Sequence, residues 1–189
     1  MNKNKPMILL SLLAVALMQL ACTIFVGGPA YPANPIAVST EAIGSFSQQL
    51  QIAQTAAAQS GTLTLTVNET QITSLLANYL DSKTDPLIQN PQVTLQNGEI
   101  QVYGKVSRGN FEANVRIVLA VSIDPEGNPV ISVSSTDFGP LPAPNGLNET
   151  ISTLIDQAFT GSFGPAATGL RLESIHIADG SMTLTGRVK

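Results

Sequence analysis

The chain has few of the residues that catalytic, metal-binding and nucleic-acid-binding sites usually require. It has 189 residues, of which one is cysteine, one is histidine, none is tryptophan and only 12% are charged. A single cysteine excludes an intrachain disulfide, and a single histidine without carboxylate partners at ligand spacing does not form a zinc site. No run of basic residues provides the footprint of a nucleic-acid-binding protein. This composition predicts a protein with no cofactor, no metal and no nucleic-acid partner.

Sequence motifs for catalysis are missing as well. The chain contains no nucleophile elbow, no P-loop and no dinucleotide fingerprint. Its histidine, His176, falls on the polar side of a predicted hairpin and is expected at the surface. The nearest acidic pairs are Asp81 with Asp85 and Asp124 with Glu126, at turn or helix-end positions where solvated acids are common. We therefore expect no enzymatic activity and no catalytic residues.

The N-terminal residues have the pattern of an export signal. Residues 1–22 begin with the basic stretch MNKNKP and continue with the apolar stretch MILLSLLAVALMQLA. The six residues LMQLAC at the end of this segment resemble the lipobox of bacterial lipoproteins, whose cysteine is acylated and becomes the mature N-terminus. The resemblance implies that Cys22 is lipidated and that the protein is anchored to a membrane outside the cytoplasm.

A second interpretation of this segment stays open, because Gln19 and Leu20 differ from the residues that the lipobox prefers. The apolar stretch 7–26 is about 20 residues long, which is enough for an uncleaved transmembrane anchor. If residues 1–22 are removed, the loss of Lys3 and Lys5 changes the net charge from −4 to −6. That charge disfavours binding to anionic lipid headgroups by electrostatics alone.

The rest of the chain predicts a short linker and one α+β domain. Residues 23–39 are rich in Gly and Pro and are expected to be a spacer between the membrane and the domain. Residues 40–189 form the predicted domain, which is large enough to bury a core without a disulfide or a metal. It begins with an amphipathic helix over 40–58 that has Thr40 as its N-cap. Asn68 is the predicted N-cap of a second helix.

A helix followed by a hairpin occurs twice in the chain. The hairpin NGEIQVYGKV (97–106) corresponds to DGSMTLTGRV (179–188). The helix NETQITSLLANYL (68–80) corresponds to NETISTLIDQAF (148–159), which lies in a third helix predicted over 146–160. The Asn-Gly and Asp-Gly pairs predict two-residue turns, whose register brings apolar residues opposite each other in both hairpins. This agreement supports both hairpins. The recurrence of a helix and a hairpin together favours a structural repeat over two hairpins that share common turn chemistry.

One glycine in each hairpin falls in phase with the inward-facing apolar residues. Gly104 and Gly186 occupy equivalent places in the two copies. Glycine weakens a strand, so its repetition here, unless it is due to chance, predicts a β-bulge, a deliberate bend of the sheet, or room for a helix that crosses closely.

The order of the elements predicts an α+β fold, with a strongly curved antiparallel sheet of about six or seven strands packed on two or three helices. Residues 62–80 spell a strand that ends in a capped helix; a hairpin, the long strand 111–123, a further helix and a final hairpin follow. This order resembles small bacterial envelope lipoproteins with a TULIP-like lipid-binding domain, over about residues 60–189. In that family a curved sheet wraps a long helix and the trough holds acyl chains. The resemblance implies binding of a lipid or another apolar ligand.

Ten apolar residues are candidates for the lining of this trough. They come from the second helix, the second face of the long strand, the proline-rich segment FGPLPAPNG (138–146) and the predicted third helix. Within 138–146 the apolar residues are expected either to plug the end of the core or to act as a lid over the trough. The candidates are Leu75, Leu76, Tyr79, Val118, Ala120, Phe138, Leu141, Leu154, Ile155 and Phe159.

The alternative function is that of a non-enzymatic envelope scaffold or protein-interaction module with a solid core. The surface is rich in Thr, Asn and Gln, and the segment 138–146 could dock a protein partner that the sequence does not identify. The residues expected to face inward are Leu75, Leu76, Leu95, Ile100, Val102, Ile117, Leu119, Leu154, Ile155 and Ile177.

Overall fold

The computed structural model describes residues 23–84, 86–141 and 170–188. Cys22 and the predicted third helix, with Leu154, Ile155 and Phe159, lie outside the described residues. The described part of the chain contains two helices and eight strands, and it confirms the α+β class. In chain order the elements are β1 (Ile24–Phe25), α1 (Thr40–Ser60), β2 (Thr62–Asn68), α2 (Glu69–Asp81), β3 (Gln89–Gln96), β4 (Glu99–Arg108), β5 (Phe111–Ile123), β6 (Pro129–Asp137), β7 (Leu170–Ala178) and β8 (Ser181–Val188).

The strands curl into a half-barrel that consists of two hydrogen-bonded sheets. In the first sheet β3, β4 and β5 are consecutive neighbours, and both β1 and β6 pair with β5. The second sheet has the order β2-β8-β7. The prediction of one antiparallel sheet with six or seven strands was therefore wrong in number and in kind. The first sheet is mixed because β1 runs parallel to β5, from a segment in which the sequence shows no strand pattern.

Both helices begin at a polar cap. The N-cap of α1 is Ser39 and not the predicted Thr40, because Ser39 has an extended backbone and its hydroxyl accepts hydrogen bonds from the N–H groups of Glu41 and Ala42. The predicted cap of α2 is confirmed. Asn68 accepts a bond from the N–H of Gln71 at 2.9 Å, and the Gln71 side chain accepts one from the N–H of Asn68 at 3.0 Å.

The structure confirms both predicted hairpins. In the first, Leu95 pairs with Ile100, and in the second Ile177 pairs with Met182. Both turns have positive φ angles at their two central residues, Asn97–Gly98 and Asp179–Gly180. Such turns match the twist of the strands that they connect. The repeat is thus observed at the level of the hairpin, whereas the helix of the second copy lies outside the described residues.

The glycine in each hairpin faces a β-bulge. The register of β3 against β4 shifts between Gln89 and Gln92, and a Cβ on Gly104 would meet the carbonyl oxygen of Gln89 at 3.1 Å. A shift also occurs between Leu172 and Ser174 of β7, and a Cβ on Gly186 would meet the carbonyl oxygen of Arg171 at 2.7 Å. Of the three predicted reasons for these glycines, the bulge is the one that the structure shows.

The two hairpins meet turn to turn and join the two sheets. The N–H of Gly98 donates to the carbonyl oxygen of Ile177 at 3.2 Å, and the N–H of Gly180 donates to that of Leu95 at 3.0 Å. Gly180 and Ile177 are the repeat equivalents of Gly98 and Leu95, so the two bonds form a reciprocal pair of the kind found at two-fold interfaces. The repeated sequence therefore builds a self-complementary junction within one chain.

The residues predicted as a spacer, 23–39, are attached along the first sheet. Ile24 pairs with Phe111, and the Asn114 side chain donates to the carbonyl oxygen of Pro29 at 3.1 Å. Farther along, the Gln92 side chain donates to the carbonyl oxygen of Ile36 at 3.1 Å. These long-range bonds fasten the segment to β5 and β3 before α1 begins.

One apolar core spans both sheets and both helices. Six of the ten residues expected to face inward are buried: Leu95, Ile100, Val102, Ile117, Leu119 and Ile177. Leu75 and Leu76 are only half-buried at the margin of this core. The core also takes in Phe46, Ala53 and Ala57 of α1, Leu63, Leu65 and Val67 of β2, and Met182 and Leu184 of β8.

Candidate ligand-binding site

Helix α2 lies along the edge of the first sheet and completes the hydrogen bonding of that edge. Its Thr73 hydroxyl accepts a bond from the N–H of Val93 at 3.0 Å. One turn earlier, the Glu69 carboxylate accepts a bond from the N–H of Leu95 at 2.8 Å. Exposed strand edges favour pairing with other chains. Side chains spaced four residues apart on α2 therefore act in place of a neighbouring strand.

A second face of α2 is polar and is nevertheless buried against α1. The Gln71 side chain donates to Ser45 Oγ at 3.0 Å and to Gln49 Oε1 at 3.1 Å. The Ser74 hydroxyl accepts a bond from the N–H of Ser39 at 3.1 Å. Only 2% of Gln71 and 0% of Ser74 is exposed, so these two polar side chains are buried with their hydrogen bonds satisfied.

The third face of α2 is apolar and only half-buried. It carries Ile72, Leu75, Leu76 and Tyr79, which pack against the margin of the core, whereas Leu80 at its C-terminal end is buried in the core at 3% exposure. Their three- and four-residue spacing predicts a fully buried stripe. The structure differs because β3 and α1 occupy the two other sides of the helix and bury Thr73, Ser74 and Gln71 there. We call these four residues the open stripe of α2.

Half-buried apolar residues on the strands also border the core. Val121 of β5 pairs with Ile131 of β6, and Val133 pairs with the buried Leu119. Leu172 and Ile175 of β7 have the same intermediate exposure. These strand residues are not among the site candidates predicted from the sequence, although Val121 alternates in phase with Leu119. Like the open stripe, these residues pack against the core and are reached in part by water.

The structure separates the ten sequence candidates. Leu75, Leu76 and Tyr79 lie together on the open stripe, where the Lys83 ammonium is 4.5 Å from the centroid of the Tyr79 ring. Phe138 is buried in the core at 6% exposure, and Leu141 packs half-buried against it. These positions fit the plug interpretation of the segment 138–146. Leu154, Ile155 and Phe159 lie outside the described residues.

Val118 and Ala120 are not brought to the open stripe. Successive residues of a strand point to opposite faces, so these two lie on the face of β5 opposite to Ile117 and Leu119. Val118 pairs with Gln101, and the Tyr103 hydroxyl donates to Gln101 Oε1 at 2.8 Å. Val118 is nevertheless buried at 7% exposure, outside the main core cluster, and Ala120 is half-buried.

A separate groove of about 630 Å³ lies where the two hairpins meet. It is open and partly polar, and the Glu69 carboxylate at its wall is already bonded to the N–H of Leu95. Within residues 23–84, 86–141 and 170–188 no group of three His, Cys, Asp or Glu side chains is placed to hold a metal ion. His176 pairs with Thr183 across the hairpin β7–β8, as its register predicted.

The comparisons with known proteins place few constraints on this site. No protein-family model and no curated protein sequence matches the chain. A weak structural similarity is found to a crystal structure of lipopolysaccharide binding protein, with 13% sequence identity and a TM-score of 0.21. The match covers 82% of this chain and 48% of that protein, so the chain spans about half of its length. Neither described helix has the length and hydropathy needed to cross a bilayer.

Proposed function

We propose that the protein is a membrane-tethered extracytoplasmic lipoprotein that binds a lipid or another apolar ligand between its helices and its curled sheets. The observation that carries the proposal is the partial exposure of the open stripe of α2. This helix buries Gln71, Thr73 and Ser74 together with Ala77 and Leu80, and it leaves Ile72 and Leu76 partly open to water.

The energetics of that arrangement favour an apolar occupant. Burial of apolar surface stabilises by roughly 25 cal/mol per Å², so an acyl chain that covers the open stripe gains free energy from every side chain it removes from water. The polar groups of the helix need no such occupant, because they are already satisfied by α1 and β3. A ligand pocket of this type is mainly apolar, with few polar groups at its edge.

Ligand binding is tested with a fluorescent fatty acid and one matched pair of variants. Leu76→Ser places a hydroxyl on the open stripe, and Ile52→Ser makes the same type of change on α1, where 61% of the side chain is exposed. We expect Leu76→Ser to weaken uptake by about tenfold, the equivalent of ~1.4 kcal/mol of lost apolar contact, while Ile52→Ser binds as the wild type does. Equal uptake by both variants, at unchanged melting temperature, would remove the open stripe from the site.

The tether is tested by mass spectrometry of the protein extracted from membranes. The proposal expects a mature N-terminus at Cys22 that carries acyl chains. An intact Met1 with a free Cys22 thiol would instead support the uncleaved apolar anchor over residues 7–26.

A second candidate function is that of a scaffold with a solid core. It is favoured by the burial of Phe138, which closes the core at the start of the segment 138–146. In a scaffold, Phe138→Ser and Leu141→Ser should each lower stability by about 1 kcal/mol or more. Native mass spectrometry separates the two functions, since a carrier retains a co-purifying lipid mass whereas a scaffold gives a clean protein mass and binds no fatty-acid probe.

A further inference from the structure

Three large apolar side chains are exposed at one end of the first sheet. Ile24 and Phe25 of β1 are each 55% exposed, and Phe111 at the start of β5 is 46% exposed. Arg108, which pairs with Phe111 across the β4–β5 turn, is exposed as well. We call Ile24, Phe25, Arg108 and Phe111 the tip of the sheet.

Backbone hydrogen bonds hold the tip in one arrangement. The N–H of Ile24 donates to the carbonyl oxygen of Asn110 at 2.7 Å, and the N–H of Val26 donates to that of Glu112 at 2.8 Å. Ile24 lies beside Phe111 on one face of the sheet, and Phe25 points to the other face because successive strand residues alternate. Each face of the tip therefore exposes a large apolar side chain beside a charged one: Arg108 pairs with Phe111, and Glu112, which pairs with Phe25, forms a salt bridge with Lys105 at 2.8 Å.

The position of the tip in the chain indicates which medium surrounds it. Cys22, the predicted acylation site, is two residues from Ile24, and a chain extends by at most ~3.6 Å per residue. An acyl anchor at Cys22 therefore keeps Ile24 within about 7 Å of the membrane surface. The alternative anchor, the apolar stretch 7–26, passes through Ile24 and Phe25 themselves.

We propose that the tip inserts into the headgroup region of the bilayer, so that the domain stands with the start of β5 at the membrane. Phenylalanine rings bury at the boundary between headgroups and acyl chains, and an arginine beside them extends its guanidinium to the phosphates. Because the net charge of the mature chain disfavours adsorption by charge, the apolar side chains supply the contact. This inference rests on the membrane tether of the proposed function.

Single tryptophans test the inference, since the chain contains none. Phe25→Trp and Phe111→Trp place the probe at the tip. Val130→Trp is the matched control, because Val130 is 43% exposed and pairs with Ser122, roughly 35 Å from Phe111 along β5 at ~3.3 Å per residue. Each full-length variant is extracted from membranes and reconstituted into phosphatidylcholine vesicles with or without brominated acyl chains, which quench tryptophan at short range.

We expect brominated lipid to reduce the emission of Phe25→Trp and Phe111→Trp roughly twofold or more, with a shift to shorter wavelength, as for rings at the headgroup level. Val130→Trp should lose little emission. Flotation of the protein with the vesicles, together with equal quenching at all three positions, would overturn the inference and leave the tether intact. If the wild type does not float with the vesicles, the tether is wrong and the inference fails with it.

Discussion

The hairpin β3–β4 and the hairpin β7–β8 have the same turn chemistry, the same register and equivalent bulges, yet different neighbours hold their outer strands. Helix α2 covers β3 through Thr73 and Glu69. Strand β7 is held at its start by the β5–β6 turn, where the N–H of Leu172 donates to the carbonyl oxygen of Gly127 at 2.9 Å. Similar turn residues thus produce the same hairpin in both copies, whereas the tertiary neighbours determine which groups form hydrogen bonds with the backbone of the outer strand. Four measurements test how far the equivalence of the two copies extends.

The largest effect is expected from the equivalent core residues Leu95 and Ile177. Leu95 is fully buried, whereas Ile177 retains 6% exposure. Truncation of a buried aliphatic side chain to alanine costs about 2–5 kcal/mol. We expect Leu95→Ala to lower the free energy of unfolding by about 3–5 kcal/mol and Ile177→Ala by about 2–4 kcal/mol, measured by denaturant titration. A larger loss for Ile177→Ala would show that the second hairpin is the more tightly packed copy.

Alanine at the two bulge glycines should also distinguish the copies. The nearest atoms to a Cβ on Gly186 belong to the backbone of Arg171 and Leu172, whereas a Cβ on Gly104 first meets the Ile88 side chain. We expect Gly186→Ala to cost about 2–3 kcal/mol and Gly104→Ala about 1–2 kcal/mol, within the range for overpacking.

A double-mutant cycle tests whether the contact with Ile88 causes the loss of stability expected for Gly104→Ala. Ile88→Ala removes the methyl group that a Cβ on Gly104 would meet, so the two changes together should cost less than their sum. Strict additivity would contradict the assigned clash.

Thr73→Val tests whether α2 supplies the hydrogen-bond acceptor at the edge of β3. The exchange keeps the shape of the side chain but leaves the buried N–H of Val93 without its acceptor, which costs about 1–3 kcal/mol. Thr66→Val is the control, because the hydroxyls of Thr66 and Thr183 pair at 3.0 Å on an exposed face. Its expected effect is within about 0.5 kcal/mol. Similar values for the two variants, from thermal unfolding, would mean that α2 does not satisfy the edge of β3.

The smallest effect concerns the turn that holds β7. Hydrogen bonds from the backbone N–H of Asn128 and then from its side chain lower the pKa of Asp124 below its ordinary value. A carboxyl with a lowered folded-state pKa stabilises above its unfolded pKa of about 3.9, and this contribution is lost as the pH falls through the folded value. Asp124→Asn should therefore flatten the fall of melting temperature between about pH 4 and pH 2. An unchanged profile would show that the turn contributes nothing to acid sensitivity.

Local signals in the sequence were sufficient for the hairpins and for the cap of α2. Asn97–Gly98 and Asp179–Gly180 set their own turn geometry, and Asn68 meets Gln71 within one helical turn. Helical periodicity did not predict that the open stripe of α2 is only half-buried. Periodicity shows that a helix has an apolar face, but it does not show which neighbour covers that face. Here the edge of β3, whose N–H groups bond to Thr73 and Glu69, and the polar contact with α1 occupy the two other sides of the helix.

The candidate site was predicted in part for the same reason. Leu75, Leu76 and Tyr79 share a helix face at fixed spacing, so the sequence groups them correctly. Alternation along β5 puts Val118 and Ala120 on its second face, as the sequence predicts, but the burial of Val118 at 7% exposure depends on its tertiary neighbours. The attachment of Ile24 to Phe111 has no local signal at all, since it joins residues far apart in the chain.

The sequence by itself determined the α+β class, the two turns, their registers and the alternation of apolar residues, because each depends on interactions within a few residues. Only the tertiary structure decided that the two turns bond to each other, that α2 substitutes for a strand beside β3, and that β1 fastens the N-terminal segment to β5. Each of these depends on the partner that a backbone N–H or C=O finds after the chain has folded. Every buried backbone N–H and C=O group requires such a partner, but the partner can lie anywhere along the chain.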